Sequence, residues 1–195
     1  MLRVLLVCTG NICRSPIAHA FLLDRLSRRK KGSFEVRSAG THGRSGYPAT
    51  PEAVAAAAER GIDIAEHRSS RLSPDLVTWA DIIVTMTIEQ AELISYEAPD
   101  ASPRTFTLKE LVAILRALPA PVVGTLTRDA LLQRVSAADR IRRERQLAPA
   151  DMDVADPLGL SETVYRAVAA EIEGLVDDLV EGLTGGRNPA VASGG

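Results

Sequence analysis

The first residues equipped for chemistry lie near the N-terminus, where positions 8–16 read CTGNICRSP. Cys8 offers a nucleophile, and Arg14 offers a planar cation that can bind two oxygens of an anion. If this segment leads into a helix, the five residues between them could wrap a tetrahedral oxyanion with backbone N–H groups. A loop that presents backbone N–H groups and a guanidinium is electropositive, and this favours the thiolate, which is the nucleophilic form of cysteine. The spacing therefore indicates covalent catalysis on an oxyanion.

Two further side chains could complete this chemistry. Ser15 can donate its hydroxyl to the sulfur of Cys8, and it can also cap the helix that follows. Asp156 precedes a proline in a loop between two predicted helices, and there it could protonate a leaving group. An Asp-Pro pair alone indicates only a turn, so this role requires Asp156 to lie beside the cysteine loop.

The elements that must position these residues alternate between strands and helices. Apolar runs predict strands over 2–7, 34–38, 81–86 and 104–106. Start and stop signals predict helices over 15–26, 50–61 and 107–118, others opened by the Thr87 and Ser161 caps, and an extra helix over 125–146. Alternation of this kind is typical of an α/β fold with a parallel sheet, which binds ligands at the carboxyl ends of its strands. Cys8 ends the first of those strands.

The length of 195 residues and the 46% apolar content indicate one globular domain. We expect that domain to cover 1–183, with an insertion over about 115–150, and a disordered Gly-, Pro- and Ser-rich tail over 184–195. Two cysteines and no leader segment predict a reduced, cytoplasmic protein, and the apolar runs are too short to enter a membrane. A net charge of −2 and seven aromatic residues argue against nucleic acid binding.

Arginines are concentrated in the predicted insertion. Its outer face is expected to carry Arg128, Arg134, Arg140, Arg142, Arg143 and Arg145. A solvated helical face is the simpler interpretation of this charge. The alternative is a docking patch for an acidic partner.

Four motifs, in order along the chain, resemble the low molecular weight protein-tyrosine phosphatase family. They are VCTGNICRSP at 7–16, SAGT at 38–41, His67-Arg68 and Asp156-Pro157. The resemblance implies a four-stranded parallel sheet with helices on both faces, of the Rossmann or flavodoxin-like kind, to which the insertion near 115–150 is an addition. It also implies hydrolysis of a phosphorylated protein through a phosphocysteine at Cys8, with Asp156 as general acid and no cofactor or metal.

The resemblance also assigns roles to the rest of the loop. It implies that phosphate is bound by Thr9, Gly10, Asn11, Ile12, Cys13, Arg14 and Ser15. It implies that a hydrogen-bond network of Asn11, Ser15, Ser38 and His67 holds the loop in shape. Cys13 matches a second cysteine that can form a reversible disulfide with Cys8 after oxidation. The alternative for Cys13 is a small residue that packs the loop.

The sequence leaves two phosphorylated residues as possible substrates, phosphotyrosine and phosphoarginine. Some bacterial members remove phosphate from arginine, and CTGN at 8–11, ATP at 49–51 and FTLKE at 106–110 resemble that subgroup. Those members usually have Thr where this chain has Ile12, whose apolar bulk favours an aryl ester. Phosphotyrosine is therefore the first hypothesis and phosphoarginine the alternative. The side chains expected to form the specificity rim are Ile12, His42, Tyr47 and Leu158.

Two other functions fit less well. An arsenate reductase of this fold would need further cysteines to relay a disulfide, and no cysteine follows Cys13. A non-catalytic phosphate-binding module would be expected to lose Cys8, Arg14 or Asp156, and all three are present.

Overall fold

In a computed structural model, four parallel strands form one sheet in the order β2-β1-β3-β4. The strands are β1 (Leu2–Cys8), β2 (Phe34–Gly40), β3 (Ile82–Thr85) and β4 (Thr105–Thr107). The structure describes residues 1–29, 34–121, 126–145 and 151–185. Val4 of the central strand pairs with Val36 on one side and with Ile82 on the other. The predicted α/β fold with a four-stranded parallel sheet is confirmed.

Helices cover both faces of this sheet. They are α1 (Arg14–Arg29), α2 (Pro51–Ala58), α3 (Pro74–Trp79), α4 (Ile88–Glu97), α5 (Leu108–Ala117), α6 (Arg128–Arg145) and α7 (Glu162–Thr184). Successive residues of a strand point to opposite faces, so Val4 and Leu6 join one apolar cluster whereas Leu5 and Val7 join another. The larger cluster contains residues of α1, α5 and α7. Both clusters support β1, which carries Cys8 at its carboxyl end.

Helix caps follow the sequence in most places. Thr50 accepts a hydrogen bond from the N–H of Ala53, and Thr87 forms the predicted capping box with Gln90. The prediction that Ser15 caps α1 is wrong, because the helix begins at Arg14 and the Ser15 hydroxyl turns toward Cys8 instead. The short helix α3 was not expected from the sequence, although Ser73 and Pro74 supply its cap and first residue.

The insertion helix α6 packs on the edge strand of the sheet. Arg142 donates to the carbonyls of Thr105 (2.7 Å) and Ser102 (2.9 Å), and its guanidinium lies 4.5 Å from the centre of the Phe106 ring. Arg134 donates to the carbonyl of Gly182 at 2.5 Å. The prediction that Arg134 and Arg142 lie on the outer face is therefore wrong. These two side chains turn inward because the ends of neighbouring elements offer carbonyl acceptors.

The other arginines of α6 lie differently. Arg128 pairs with Asp81 (2.6 Å) and Arg143 with Asp139 (2.5 Å), while Arg140 is exposed. The side chain of Arg145 lies outside the described residues. At the end of the chain, Thr184 is a buried residue of α7, so the tail predicted from 184 begins too early. The rest of that tail, from 186, also lies outside the described residues.

Within the described parts of the chain, no helix combines the length and apolarity that crossing a membrane requires.

Candidate active site

The loop between β1 and α1 gathers hydrogen-bond donors around the sulfur of Cys8. The backbone N–H of Asn11 donates to Sγ at 3.2 Å, and the hydroxyl of Ser15 lies 3.0 Å from Sγ. Because Ser15 Oγ accepts a hydrogen bond from Asn11 Nδ2 at 2.8 Å, its own hydrogen is left to point at the sulfur. Two donors thus converge on one buried sulfur, an arrangement that stabilises a thiolate.

Asn11 holds the loop in an unusual backbone conformation. Its φ of 55° is the one left-handed value among the non-glycine residues that the structure describes. Three contacts stabilise it: Oδ1 accepts from the N–H of Ser70 (2.8 Å), Nδ2 donates to Ser15, and the carbonyl lies 2.8 Å from His67 Nε2. A carbonyl can only accept, so His67 Nε2 carries the hydrogen. Burial lowers the pKa of His67, which favours its neutral form.

The strand end beside the loop leaves no room for a side chain at Gly40. A Cβ there would lie 2.7 Å from the carbonyl oxygen of Thr9 and 2.9 Å from the nitrogen of Asn11. The following residues bond directly to the loop, with Thr41 N–H on the Cys8 carbonyl (3.0 Å) and His42 N–H on the Thr9 carbonyl (2.9 Å). Gly40 therefore permits two backbones to touch at the base of the site.

Arg14 is the first residue of α1, directly after the loop, and only 3% of its side chain is exposed. Its Nη1 donates to the carbonyl of Val154 at 3.0 Å, and its Nη2 donates to Thr9 Oγ1 at 3.4 Å. Nη2 also forms an ion pair with Asp156, which is 142 residues away in the chain. The fold thus brings the predicted nucleophile loop and the predicted general acid together.

The segment that carries Asp156 is tied to the end of β3. The N–H of Val154 donates to the carbonyl of Met86 at 2.8 Å, two residues before Asp156. The side chain of Asp156 is 45% exposed, and its Oδ1 accepts from the N–H of Leu158 at 3.2 Å. The carboxyl group therefore lies at the mouth of the site, where it can meet a ligand from solvent.

Cys13 occupies a different environment from Cys8. Its Sγ lies 3.6 Å from the hydroxyls of both Thr50 and Tyr165, and burial raises the pKa of its thiol. Burial also raises the pKa of Tyr165 to about 12, so that hydroxyl stays protonated. Both cysteines are free thiols in the structure. Cys13 is therefore a buried, protonated thiol on the side of the loop that faces α7.

The structure does not bring every predicted residue to the loop. Ser38 lies on β2, and its hydroxyl is 3.5 Å from His19 Nδ1, outside the network around Asn11, so its predicted place in that network is wrong. The physical reason is the strand register, because Ser38 pairs with Leu6 of β1, two residues before Cys8 and the loop. Of the predicted rim, Ile12 packs against the core, whereas the other three side chains are exposed: His42, Tyr47 and Leu158.

Sequence reasoning also missed several residues of the site. Gln90, predicted only as part of a capping box, donates from Nε2 to Thr9 Oγ1 at 3.1 Å. Ser70 and Tyr165 were missed because nothing in their spacing marks them as neighbours of the loop. Gly40 was signalled only as part of the SAGT motif, and it is the last residue of β2. Among the described residues, no group of three or more His, Cys, Asp or Glu side chains could hold a metal ion.

Comparisons with known proteins agree with this geometry. The family model for the low molecular weight phosphotyrosine protein phosphatases matches residues 3–124. A protein-arginine-phosphatase of Geobacillus stearothermophilus is 35% identical, over 93% of this chain and 95% of that protein. A probable low molecular weight protein-tyrosine-phosphatase, EpsP, of Ralstonia nicotianae is 44% identical over 55% of this chain and 71% of that protein.

A solved structure of similar shape is a low molecular weight protein tyrosine phosphatase from T. tengcongensis. It has 30% sequence identity and a TM-score of 0.70, and the match covers 93% of this chain and 99% of that one. The chain therefore belongs to the low molecular weight phosphotyrosine protein phosphatase family, as the four motifs predicted. The proteins of this family that it matches are named as phosphatases, which are hydrolases. The family match ends at 124, before α6 begins.

Proposed function

We propose that this protein hydrolyses phosphotyrosine in proteins through a phosphocysteine at Cys8. The observation that supports this most strongly is the pair of donors on Cys8 Sγ, from Asn11 N–H (3.2 Å) and Ser15 Oγ (3.0 Å), beside the buried Arg14. Phosphoryl transfer depends on positioning and on stabilising the equatorial oxygens. A cup of backbone N–H groups with one guanidinium meets both needs.

In the first step, the thiolate of Cys8 attacks phosphorus, an S–P bond forms, and the bond from phosphorus to the tyrosine oxygen breaks. Asp156, which takes up a proton from solvent once it leaves Arg14, gives that proton to the leaving oxygen. In the second step, water attacks the phosphocysteine while Asp156 takes a proton from that water. The S–P bond breaks, and inorganic phosphate leaves. The hydroxyl of Ser15 stabilises the thiolate that is released, because it donates to the same sulfur.

A bound phosphoryl group carries oxygens that compete with the Asp156 carboxylate for Arg14 Nη2. When those oxygens take the guanidinium, the carboxyl group is free to move to the leaving atom. Asp156 is held by its own loop and is half-exposed, so this movement disturbs no buried packing.

Ile12 favours an aryl ester over a phosphoarginine substrate, because its branched alkyl group borders the loop and cannot bond to a guanidinium. It is partly buried and packs against the core, which fixes it beside Gly10. Phosphoarginine is the second candidate, favoured by the 35% identity with a protein named as an arginine phosphatase over nearly the whole chain.

The test is phosphate release from two peptides of the same sequence, one with phosphotyrosine and one with phosphoarginine. We expect a higher kcat/KM for the phosphotyrosine peptide and no turnover by Cys8→Ser with either one. A higher kcat/KM for the phosphoarginine peptide would replace the first candidate with the second. Appreciable turnover by Cys8→Ser would contradict the cysteine mechanism for both.

Other expectations from the sequence enter as proposals. A single domain over 1–183 is supported by the main apolar cluster, which joins β1, α1, α5 and α7. A cytoplasmic location is proposed because Cys8 must stay reduced to act. We propose that an acidic partner binds α6 through the arginines that are exposed among its described side chains, which are Arg128, Arg140 and Arg143. Disulfide formation between Cys13 and an oxidised Cys8 would give reversible inactivation.

A further inference from the structure

Gln90 is a buried amide that links the start of α4 to the phosphate-binding loop. Only 4% of the residue is exposed, and its Oε1 accepts from the N–H groups of Met86 (2.9 Å) and Thr87 (3.1 Å). A backbone N–H can only donate, so these two contacts fix the oxygen on that side of the amide. The nitrogen Nε2 must then face Thr9, where it donates to Oγ1 at 3.1 Å.

Thr9 links Gln90 to Arg14 through its hydroxyl group. Its Oγ1 accepts from Gln90 Nε2 and also from Arg14 Nη2, at 3.4 Å, so both of its lone pairs are occupied. Thr9 is exposed, and without Gln90 its hydroxyl would be free to rotate toward water. The amide therefore keeps an acceptor in place for one edge of the guanidinium.

Arg14 needs this acceptor most when substrate is bound. Among the described residues, the guanidinium also donates to the Val154 carbonyl and pairs with Asp156. In the proposed reaction Asp156 leaves the guanidinium to protonate the leaving group. The plane of the Arg14 guanidinium is then defined by two acceptors. The Val154 carbonyl accepts from Nη1, and Thr9 Oγ1 accepts from Nη2.

We propose that Gln90 is a positioning residue, which acts through Thr9 to hold the Arg14 guanidinium in the plane that binds phosphoryl oxygens. The inference rests on the proposed function, since it concerns how the anion ligand of that site is oriented. The anion ligand of the site is an inorganic or esterified phosphate. If Gln90 acts through Thr9, the loss of either residue removes the same support of the Arg14 guanidinium.

The experiment measures the Kd of inorganic phosphate by calorimetry, and kcat/KM for p-nitrophenyl phosphate, in Gln90→Met, Thr9→Val and the double variant. We expect each single change to weaken phosphate binding and kcat/KM about tenfold, the size of one lost hydrogen bond to a charged group. The double variant should also lose about tenfold rather than about a hundredfold. Thr9→Ser, which keeps the hydroxyl, should stay close to the wild type.

Two controls separate this role from the capping of α4. Thr9→Val leaves the capping box intact, because Gln90 Oε1 still accepts from Met86 and Thr87, so it should retain the wild-type Tm and still lose phosphate affinity. Ser73→Ala removes the cap of α3, where Ser73 Oγ accepts from Leu76 N–H at 3.3 Å, and should lower Tm without changing phosphate affinity.

Additive losses in the double variant, or wild-type phosphate affinity in Gln90→Met or Thr9→Val, would overturn the proposal. Phosphate binding is measured without turnover. A failure of the positioning role, with Cys8→Ser still inactive, is thus distinct from a failure of the proposed function, which would appear as turnover by Cys8→Ser.

Discussion

The loop that holds Cys8 and the proposed specificity rim are built in opposite ways. In the loop, Cys8, Asn11, Arg14 and Ser15 are all buried, and each makes hydrogen bonds within the site or to the segments packed on it. In the rim, Ile12 is partly buried against the core, whereas His42 is exposed and Tyr47 and Leu158 are each more than half exposed.

The backbone of the rim is nevertheless tied to its neighbours. The N–H of Gly46 donates to the carbonyl of Ser69 at 2.7 Å, and the N–H of Tyr47 donates to Ser69 Oγ at 3.0 Å. The exposed side chains of Tyr47 and Leu158 lie outside the core that holds Ile12. From this difference we infer that shared hydrogen bonds fix the shape of the loop, and we propose that substrate choice depends on rim side chains that can change without disturbing those bonds.

The largest effect on activity is expected at Asp156, the proposed general acid, whose side chain lies at the exposed mouth of the site. Asp156→Ala should lower kcat/KM about a hundredfold for phenyl phosphate, because a poor leaving group needs a proton, and only a few-fold for p-nitrophenyl phosphate. The measurement is kcat/KM across a series of aryl phosphates, because kcat/KM reports the step in which the leaving group departs. Equal losses along the series would show that Asp156 is no general acid.

Gly40 tests how tightly the loop is enclosed. Gly40→Ala places a Cβ within 2.7 Å of the Thr9 carbonyl, so the strand or the loop must shift. We expect a loss of about 1–3 kcal/mol in the free energy of unfolding, together with a clear drop in kcat/KM. Urea unfolding and steady-state kinetics measure the two effects.

Gly174→Ala is the matched control, since a Cβ at this glycine of α7 meets nothing within 4 Å. Helix propensity predicts that it stabilises the protein by up to about 1 kcal/mol and leaves kcat/KM unchanged. Similar effects of the two substitutions would mean that close packing at Gly40 does not shape the loop.

Ile12 tests the rim without touching the network. Ile12→Thr removes apolar bulk and adds a hydroxyl, so the ratio of kcat/KM for phosphoarginine over phosphotyrosine peptides should rise about tenfold. The activity on p-nitrophenyl phosphate should change little in comparison. An unchanged ratio would move the source of specificity to the other rim residues, His42, Tyr47 and Leu158.

The smallest effect concerns the histidines behind the loop. Burial lowers the pKa of both His67 and His19 below the ordinary value of 6.5. The folded state therefore binds fewer protons, and the free energy of unfolding should fall as the pH drops from 6.5 through the lowered pKa values. Urea unfolding of the wild type and His67→Gln at pH 7.5 and 5.5 measures this, and the variant should show the smaller fall.

Much of the fold and the centre of the site could be predicted from the sequence. The alternation of strands and helices gave the sheet, and the spacing of Cys8 and Arg14 marked the loop, because these signals are local. The placement of Ser38 in the Asn11 network was wrong, because its contacts depend on the register of β2 against β1. The contact of Gln90 with Thr9 was missed, because no local pattern shows which elements lie side by side. The inward turn of Arg142 depends likewise on two carbonyl acceptors that are distant in the sequence, those of Ser102 and of Thr105 in β4.

The most direct test of the account is to trap the covalent intermediate. Wild-type protein quenched in acid during turnover, digested and analysed by mass spectrometry should carry a phosphoryl group on Cys8, and Cys8→Ala should carry none. A pre-steady-state burst of the phenol should accompany it if breakdown of the intermediate limits turnover. A phosphoryl group on another residue, or turnover by Cys8→Ala, would contradict nucleophilic catalysis by Cys8.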